Sequence, residues 1–344
     1  MKIINIMNRF VGSHKKLNYI LKCIKRFGDE SYIDKMLERD PEYVHFEHWG
    51  QCLPDKIIYF IDIGIKGDGF FAEYHRLLDY LYYADKHSLT PYVYFNSDFS
   101  YIDSNGNDKN YSDVFFEPYS GLSYDDVLKG KNVIRSHIAH IDYNKELDRK
   151  NAYILSDKYI SELALITRKY IKFNDKVQQY VDESLKEMNF DHNILGVHFR
   201  GSDYKNSYNG HPVYVSPDEY IVAVKEIITK GNYNRIFLAT DDIEALKAFQ
   251  EAFGTQLIYY KDVLRTDGKT SVAFLDSNRD NHHYKLGLEV IRDMITLSKC
   301  DALVAGLSQV SICAIITNRA WENEYSLLRV LDKGINSNLR YYLG

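Results

Sequence analysis

Cysteine and proline are scarce in this sequence, four and six among 344 residues, and long hydrophobic runs are missing. The longest apolar stretches, Ile57 to Ile61 and Ala302 to Leu307, fall far short of the roughly 18 residues that a membrane-crossing helix needs. Cys23, Cys52, Cys300 and Cys313 form no CxxC pair and are too few to staple a chain of this length, which fits a reducing compartment and speaks against a zinc site. Asn5, Asn8 and Arg9 break the apolar stretch Ile3 to Met7, so no secretory signal core can be drawn and the cytoplasm is the expected location. Also missing are a D-x-D element, a P-loop, an H-E-x-x-H and a G-x-S-x-G pattern, which removes support for metal-dependent and serine-hydrolase chemistry.

Positive charge is not in excess either. With 43 basic and 48 acidic side chains the net charge is −5, so nucleic acid is not the expected partner. One local exception is the first 26 residues, where His14, Lys15, Lys16, Lys22, Lys25 and Arg26 accompany Leu17, Ile20, Leu21 and Ile24 at helical spacing. This reads as an amphipathic helix docked on the protein, with a peripheral membrane anchor as the alternative.

What is present is a globular composition, 45% hydrophobic and 26% charged, at a length that suits two domains with a ligand cleft between them. Lys56 to Ile63 reads as a strand, Gly64, Gly67, Asp68 and Gly69 as a tight turn, Phe70 to His87 as a helix and Tyr92 to Phe95 as the next strand. The glycines are spaced G-x-x-G-x-G, which is not the dinucleotide fingerprint. They imply only that backbone N–H groups and a helix N-terminus meet at one place. Ser97 to Asn110 is a polar loop suited to touching an acceptor. Helices over Tyr159 to Tyr170 and Asp175 to Met188 lead to a domain boundary within Lys172 to Asn193.

From Ile194 the pattern alternates. Strands are expected at Ile194 to Phe199, Arg235 to Ala239, Gln256 to Tyr260 and Ala302 to Ala305. Helices are expected over Pro217 to Thr229, Ile243 to Phe253, His283 to Lys299 and Gln309 to Asn318. Ser216, Pro217 and Glu219 form a capping box at the first of these helices. The order implies an α/β protein with a parallel doubly wound sheet, whose ligands bind beyond the carboxyl ends of the strands.

Three such ends are polar: His198, Arg200, Gly201, Ser202 and Asp203; Thr240, Asp241 and Asp242; and Gly306, Leu307, Ser308 and Gln309. Arginine at the first can grip a diphosphate, and small residues opening a helix at the third suit a phosphate. Asp241 and Asp242 serve either a ligand or a helix cap. On the long, mostly apolar helix, Glu289, Arg292, Asp293 and Thr296 form one polar stripe, either a ligand wall or an internal ion network.

The run GVHFRGSDY, then HP and DEYI, then RIFLATDD, then LEVIRDMITLSKCDALVAGLSQVS resembles the donor-binding half of the α-1,6-fucosyltransferases, which are related to the protein O-fucosyltransferases. The likeness covers Ile194 to Asn318, with Gly64 to Phe95 similar to the N-terminal half. It implies a GT-B fold of two facing Rossmann-like domains. Residues 1–180 would form the acceptor side and 181–325 the nucleotide-sugar side, with 326–344 a tail packing back on the N-terminal domain.

It further implies GDP-fucose as donor, a glycan or lipid-linked oligosaccharide as acceptor, inversion, and neither metal nor cofactor. Carried over, Arg200, Asp203 and Asp293 would be catalytic. His198, Arg200, Tyr220, Asp241, Asp242, Asp293, Ser308, Gln309, Gly67 and Gly69 would hold the donor.

The sequence departs from the family where a second arginine becomes Gly201, a lysine becomes Tyr204, and a carboxylate before His211 and Pro212 becomes Ser207 or Tyr208. Proton removal from the acceptor then falls to Asp68, Glu73 or Asp203, or to the departing phosphate. The alternatives are another GDP- or UDP-sugar as donor, or a nucleotide-sugar- or glycan-binding protein without turnover.

Overall fold

The computed structural model describes residues 20–21, 24–26, 28–37, 44–103, 110–142, 147, 152–153, 156–267, 272 and 277–337, with the side chains of 34, 36, 142, 202 and 203 outside that description. After helix α1 (Glu30–Leu37), strand β1 (Cys52–Ile63) leads into α2 (Phe70–Lys86) and β2 (Thr90–Phe95). Short α3 (Tyr124–Leu128), β3 (Gly130–Arg135) and short α4 (Ile138–Asp142) follow. The three strands are parallel in the order β2-β1-β3. A crossover in each direction from β1 leaves the glycine turn of residues 64–69 at its carboxyl end.

Helices α5 (Asp157–Tyr170) and α6 (Asp175–Glu187) carry the chain to β4 (Ile194–Phe199), α7 (Pro217–Lys230), β5 (Arg235–Thr240) and α8 (Ile243–Phe253). Then come β6 (Leu257–Ile258), α9 (His282–Lys299), β7 (Ala302–Gly306), α10 (Gln309–Ala320) and β8 (Leu327–Leu331). This second sheet is parallel throughout, in the order β6-β5-β4-β7-β8, so the strand order reverses between β4 and β7. The expected α/β architecture of two parallel, doubly wound sheets is the one observed, and the reversal point is where such sheets open a crevice for ligands.

Strand β4 shows why these residues form a central strand. Leu195, Val197 and Phe199 face one hydrophobic cluster, Ile194 the other, and all are buried. Alternating side chains buried on both faces are the mark of a parallel sheet sandwiched by helices. One continuous core runs from Tyr59, Ile61, Phe71 and Leu78 of the first half to Phe237, Ile291, Leu303 and Ile316 of the second, so the halves are packed together rather than merely tethered. The capping box at α7 forms as the sequence implies, Ser216 Oγ accepting from the Glu219 N–H and the Glu219 carboxylate accepting from the Ser216 N–H.

Several expectations change. The third strand of the second sheet is only two residues long. Strand β3 and strand β8 were not anticipated, β3 because Lys131 and Asn132 interrupt its apolar pattern. Of the tail expected to pack back on the N-terminal domain, Leu327–Leu331 instead pairs with β7 as the edge strand of the second sheet, completing the ladder that β7 leaves open, and residues 338–344 lie outside the described residues. Of the N-terminal stripe, Leu17 lies outside the described residues, and Ile20, Leu21 and Ile24 are exposed rather than docked.

Candidate active site

A cleft of about 740 Å3 opens at the strand-order reversal, between the carboxyl ends of β4, β5 and β7 on one side and the glycine turn before α2 on the other. That volume lies within the range of small-molecule sites, about 300–1,000 Å3. Gly67, Asp68 and Gly69 reach it from the first half. His198, Arg200, Thr240, Asp241, Asp293, Ser308 and Gln309 reach it from the second. Gly67 needs its φ of +90°, which a side chain would oppose, and its N–H donates to Ser100 Oγ at 3.0 Å.

Arg200 stands just beyond β4. Its Nη1 donates to Asp241 Oδ2 at 2.7 Å, and the Gly201 N–H donates to Asp241 Oδ1 at 3.1 Å. Both residues keep part of their surface open, and Asp241 orients the guanidinium at the cleft wall.

Asp242 behaves differently. It is fully buried, caps α8 by accepting from the Glu244 and Ala245 N–H groups, and pairs with Lys205 at 2.7 Å. It does not line the cleft, so of the adjacent pair only Asp241 is at the site. A ligand role for Asp242 is set aside in favour of the cap.

His198 is buried behind Ser308. Its Nδ1 is 2.8 Å from Ser311 Oγ and 3.0 Å from Ser308 Oγ, and burial pushes its imidazole down to about 4, leaving it neutral near pH 7. Ser308 caps α10 by accepting the Ser311 N–H, so the histidine braces the helix start that faces the cleft. Ser311 was not singled out from the sequence. Its spacing of three residues from Ser308 at a helix start was the available signal.

Tyr220 is not at the cleft. It is buried, with its hydroxyl hydrogen-bonded to the Gly306 backbone, and a Cβ at position 306 would meet that oxygen at 2.4 Å. It shapes the turn after β7 rather than touching a ligand.

The stripe on α9 does not form an internal ion network. Glu289 pairs with Arg279, and Arg292 binds Asp262 through two hydrogen bonds of 2.7 and 3.0 Å while lying over the Tyr260 ring at 3.8 Å. Asp293 is left facing the cleft, and burial pushes its carboxyl up to about 7 against the pull of Arg292 and Arg265.

Among the carboxylates expected to accept a proton, Asp68 lines the cleft and pairs with Arg76 at 2.7 Å. Glu73 lies behind it, buried, held by Arg76 and by the Ile65 N–H. The side chain of Asp203 lies outside the described residues. The segment from 204 to 211 brings Tyr204, Asn206, Tyr208 and His211 to the rim. It is clipped by the chain after β8, where Gly210 and Val213 donate to the Asn336 and Gly334 carbonyls.

The loop expected to touch an acceptor contributes Tyr101 to the cleft, and its Asp103 carboxylate accepts the His283 and Tyr284 N–H groups at the start of α9. Positions 104–109 of that loop lie outside the described residues. Among the described residues no group of three or more His, Cys, Asp or Glu is arranged to hold a metal ion.

With an oriented arginine, a braced helix N-terminus and a glycine turn around one cleft, the sequence resemblance can be set beside an independent match. Residues 154–318 match the family of α-1,6-fucosyltransferase N- and catalytic domains. The matched span is just under half of the chain and includes every candidate site residue of the second half. Similar solved structures include NodZ α-1,6-fucosyltransferase soaked with GDP-fucose, with 16% identity over 75% of this chain and 92% of that chain and a TM-score of 0.48. Fucosyltransferase NodZ from Bradyrhizobium gives 17%, 74%, 91% and 0.46 for the same quantities. POFUT1 in complex with GDP-fucose gives 9%, 83%, 99% and 0.45. No curated protein matches the sequence.

Proposed function

We propose that the protein transfers fucose from GDP-fucose to a glycan or lipid-linked oligosaccharide, with inversion and without a metal ion. The observation that carries this reading is the Arg200–Asp241 pair facing the capped start of α10 across the cleft. A leaving diphosphate placed there meets the guanidinium and the helix N–H groups, which supply positive charge where negative charge develops.

In the step proposed, the acceptor hydroxyl oxygen bonds to the fucose anomeric carbon as the bond from that carbon to the β-phosphate oxygen breaks. GDP leaves with the electron pair. The hydroxyl proton goes to a carboxylate at the cleft wall, which Asp293 and Asp68 both line. A carboxyl with a pKa near 7, as at Asp293, is well matched to a base working at neutral pH.

Contact with a membrane that carries the acceptor belongs to the same reading, supported by the exposed Ile20, Leu21 and Ile24 beside Lys25 and Arg26. Sedimentation with anionic vesicles tests it. The cytoplasm is the proposed compartment, which the unpaired, buried Cys300 and Cys313 suit. Among the described residues no helix is long and apolar enough to cross a membrane.

Calorimetry with GDP, UDP and GDP-fucose, with and without EDTA, tests the donor. Selective GDP binding that EDTA leaves unchanged, together with GDP-fucose turnover lost in Arg200→Ala, is the expected result. Preference for UDP would point to another sugar donor, and binding without turnover to a nucleotide-sugar-binding protein. Either would overturn the proposal.

A further inference from the structure

Gln309, the first residue of α10, has its side-chain amide anchored by groups of the first half of the chain. Its Nε2 donates to the Ala152 carbonyl at 2.9 Å, which fixes which end of the amide points where. Its Oε1 therefore faces His75 Nδ1, 2.7 Å away, and must receive a hydrogen from it. The other ring nitrogen of His75 is 2.8 Å from the Tyr159 hydroxyl, which in turn lies 2.5 Å from Asp79 Oδ1. His75 and Asp79 are one turn apart on α2, Tyr159 is on α5, and all three side chains are buried.

Counting hydrogens along this line decides its charge. Three contacts in series need three hydrogens, and each group has a fixed supply. Tyr159 brings one, a neutral imidazole brings one, and a carboxylate brings none. One more proton must therefore reside on the relay. Either His75 is an imidazolium and Asp79 a carboxylate, or His75 is a neutral Nδ1–H imidazole, Tyr159 donates to its Nε2, and Asp79 is a carboxylic acid that donates to Tyr159. In both arrangements Nδ1 carries the hydrogen that Gln309 needs. Removing the extra proton breaks one of the three contacts.

We propose that His75 is a positioning residue of the donor site. With Tyr159 and Asp79 it holds a shared proton that fixes the Gln309 amide at the seam between the two halves. The inference rests on the reading of the cleft as a GDP-sugar site. The remaining Gln309 amide hydrogen and the first N–H groups of α10 are then presented to the donor at a set angle, and α2, which begins at the glycine turn, is locked to α10 by the same line of bonds. A shift of either helix misplaces the sugar relative to the diphosphate that Arg200 grips, so the relay acts on GDP-sugar more than on GDP.

The test compares His75→Phe, which keeps a ring against Tyr159 but removes both ring nitrogens, with His75→Gln, whose amide can still donate to Gln309. Expected for His75→Phe is a loss of kcat/KM for GDP-fucose of about tenfold or more, with GDP affinity by calorimetry changed by less than about threefold and partial recovery in His75→Gln. Parallel loss of GDP and GDP-fucose affinity, or no loss of either, would overturn the role.

Should the variants fail to fold, the wild-type protein answers alone. Nitrogen-15 spectra of the imidazole rings, with the Asp79→Asn protein as reference, are expected to show a protonated Nδ1 at neutral pH, and an unprotonated Nδ1 overturns the relay. If wild-type protein binds GDP yet turns over no GDP-fucose, the functional reading fails separately. The relay is then judged on whether His75→Phe weakens GDP-fucose binding selectively.

Discussion

Asp241 holds Arg200 and the loop behind it with the same carboxylate, one oxygen 2.7 Å from Arg200 Nη1 and the other accepting the Gly201 N–H at 3.1 Å. The guanidinium is thereby oriented before any ligand arrives. Arg200→Ala is expected to lower GDP affinity by about 30-fold or more, and Arg200→Lys to recover little of it, because an ammonium cannot make the forked contact. Asp241→Asn, which keeps the shape but not the charge, is expected to cost about tenfold. Calorimetric titration with GDP checks all three.

Gly201 stands where the resembling family carries a second arginine, and the structure gives the reason. A Cβ there would lie 2.3 Å from Asp242 Oδ2 and 2.4 Å from Asp242 Cβ. The space is taken by the buried cap of α8 and its Lys205 partner. Gly201→Ala is expected to destabilise the fold by about 1–3 kcal/mol, the usual effect of overpacking. Gly201→Arg is not expected to strengthen GDP binding. Denaturant unfolding reads the first and calorimetry the second.

Gly306 and Tyr220 make a second close approach, 2.4 Å from a Cβ at 306 to the tyrosine hydroxyl and 3.6 Å to the ring carbon that bears it. Gly306→Ala is therefore expected to destabilise by about 1–3 kcal/mol. Adding Tyr220→Phe removes the clashing oxygen, so the double variant is expected to be more stable than Gly306→Ala alone. A double-mutant cycle on unfolding free energies shows whether the coupling is there.

Burial pushes His198 and His140 down to about 4 from an ordinary value of 6.5, with His140 held against the Tyr59 hydroxyl at 2.7 Å. The unfolded chain binds these protons more readily than the folded one, so stability is full above 6.5 and is lost as the pH falls from there toward 4. Thermal melts across that range are expected to show a falling Tm. His140→Phe is expected to flatten the fall. An unchanged slope would exclude His140 as a cause.

Asp293 runs the other way. Its folded-state pKa of about 7 lies above the ordinary 3.8, so the folded chain holds that proton more tightly and the cost of ionising it grows as the pH rises from 3.8 to 7. Asp293→Asn removes the ionisation and is expected to raise Tm more at pH 8 than at pH 5. The same variant is expected to abolish transfer at either pH. Paired melts and donor-turnover assays separate the two effects.

Much of this was legible in the residues. The unbroken buried run of β4, the Ser216 capping box and the glycine turn are local patterns, fixed within a few residues, and they placed the second sheet and its strand ends nearly to the residue. Arg200, Asp241 and Ser308 stand out because ligands bind at strand ends in such sheets, and Asp293 because it belongs to a polar stripe on a mostly apolar helix. What a local pattern cannot carry is a partner far along the chain. Asp241 and Asp242 are neighbours of the same type, yet one faces the cleft and the other caps a helix.

The stripe on α9 reads in the sequence as either a ligand wall or an internal ion network, whereas Glu289 and Arg292 reach Arg279 and Asp262 in preceding segments of the chain. The tail joined the second sheet because β7 left an open edge, a fact about packing and not about residues 327–331. His75, Tyr159 and Gln309 are separated by 84 and 234 positions along the chain, and only the packing of α2, α5 and α10 aligns their hydrogens into one line. The sequence determined the elements and the chemistry on offer. Which groups face the cleft, and which are used up holding it open, was decided by tertiary packing, since buried polar groups must find partners wherever the fold brings them.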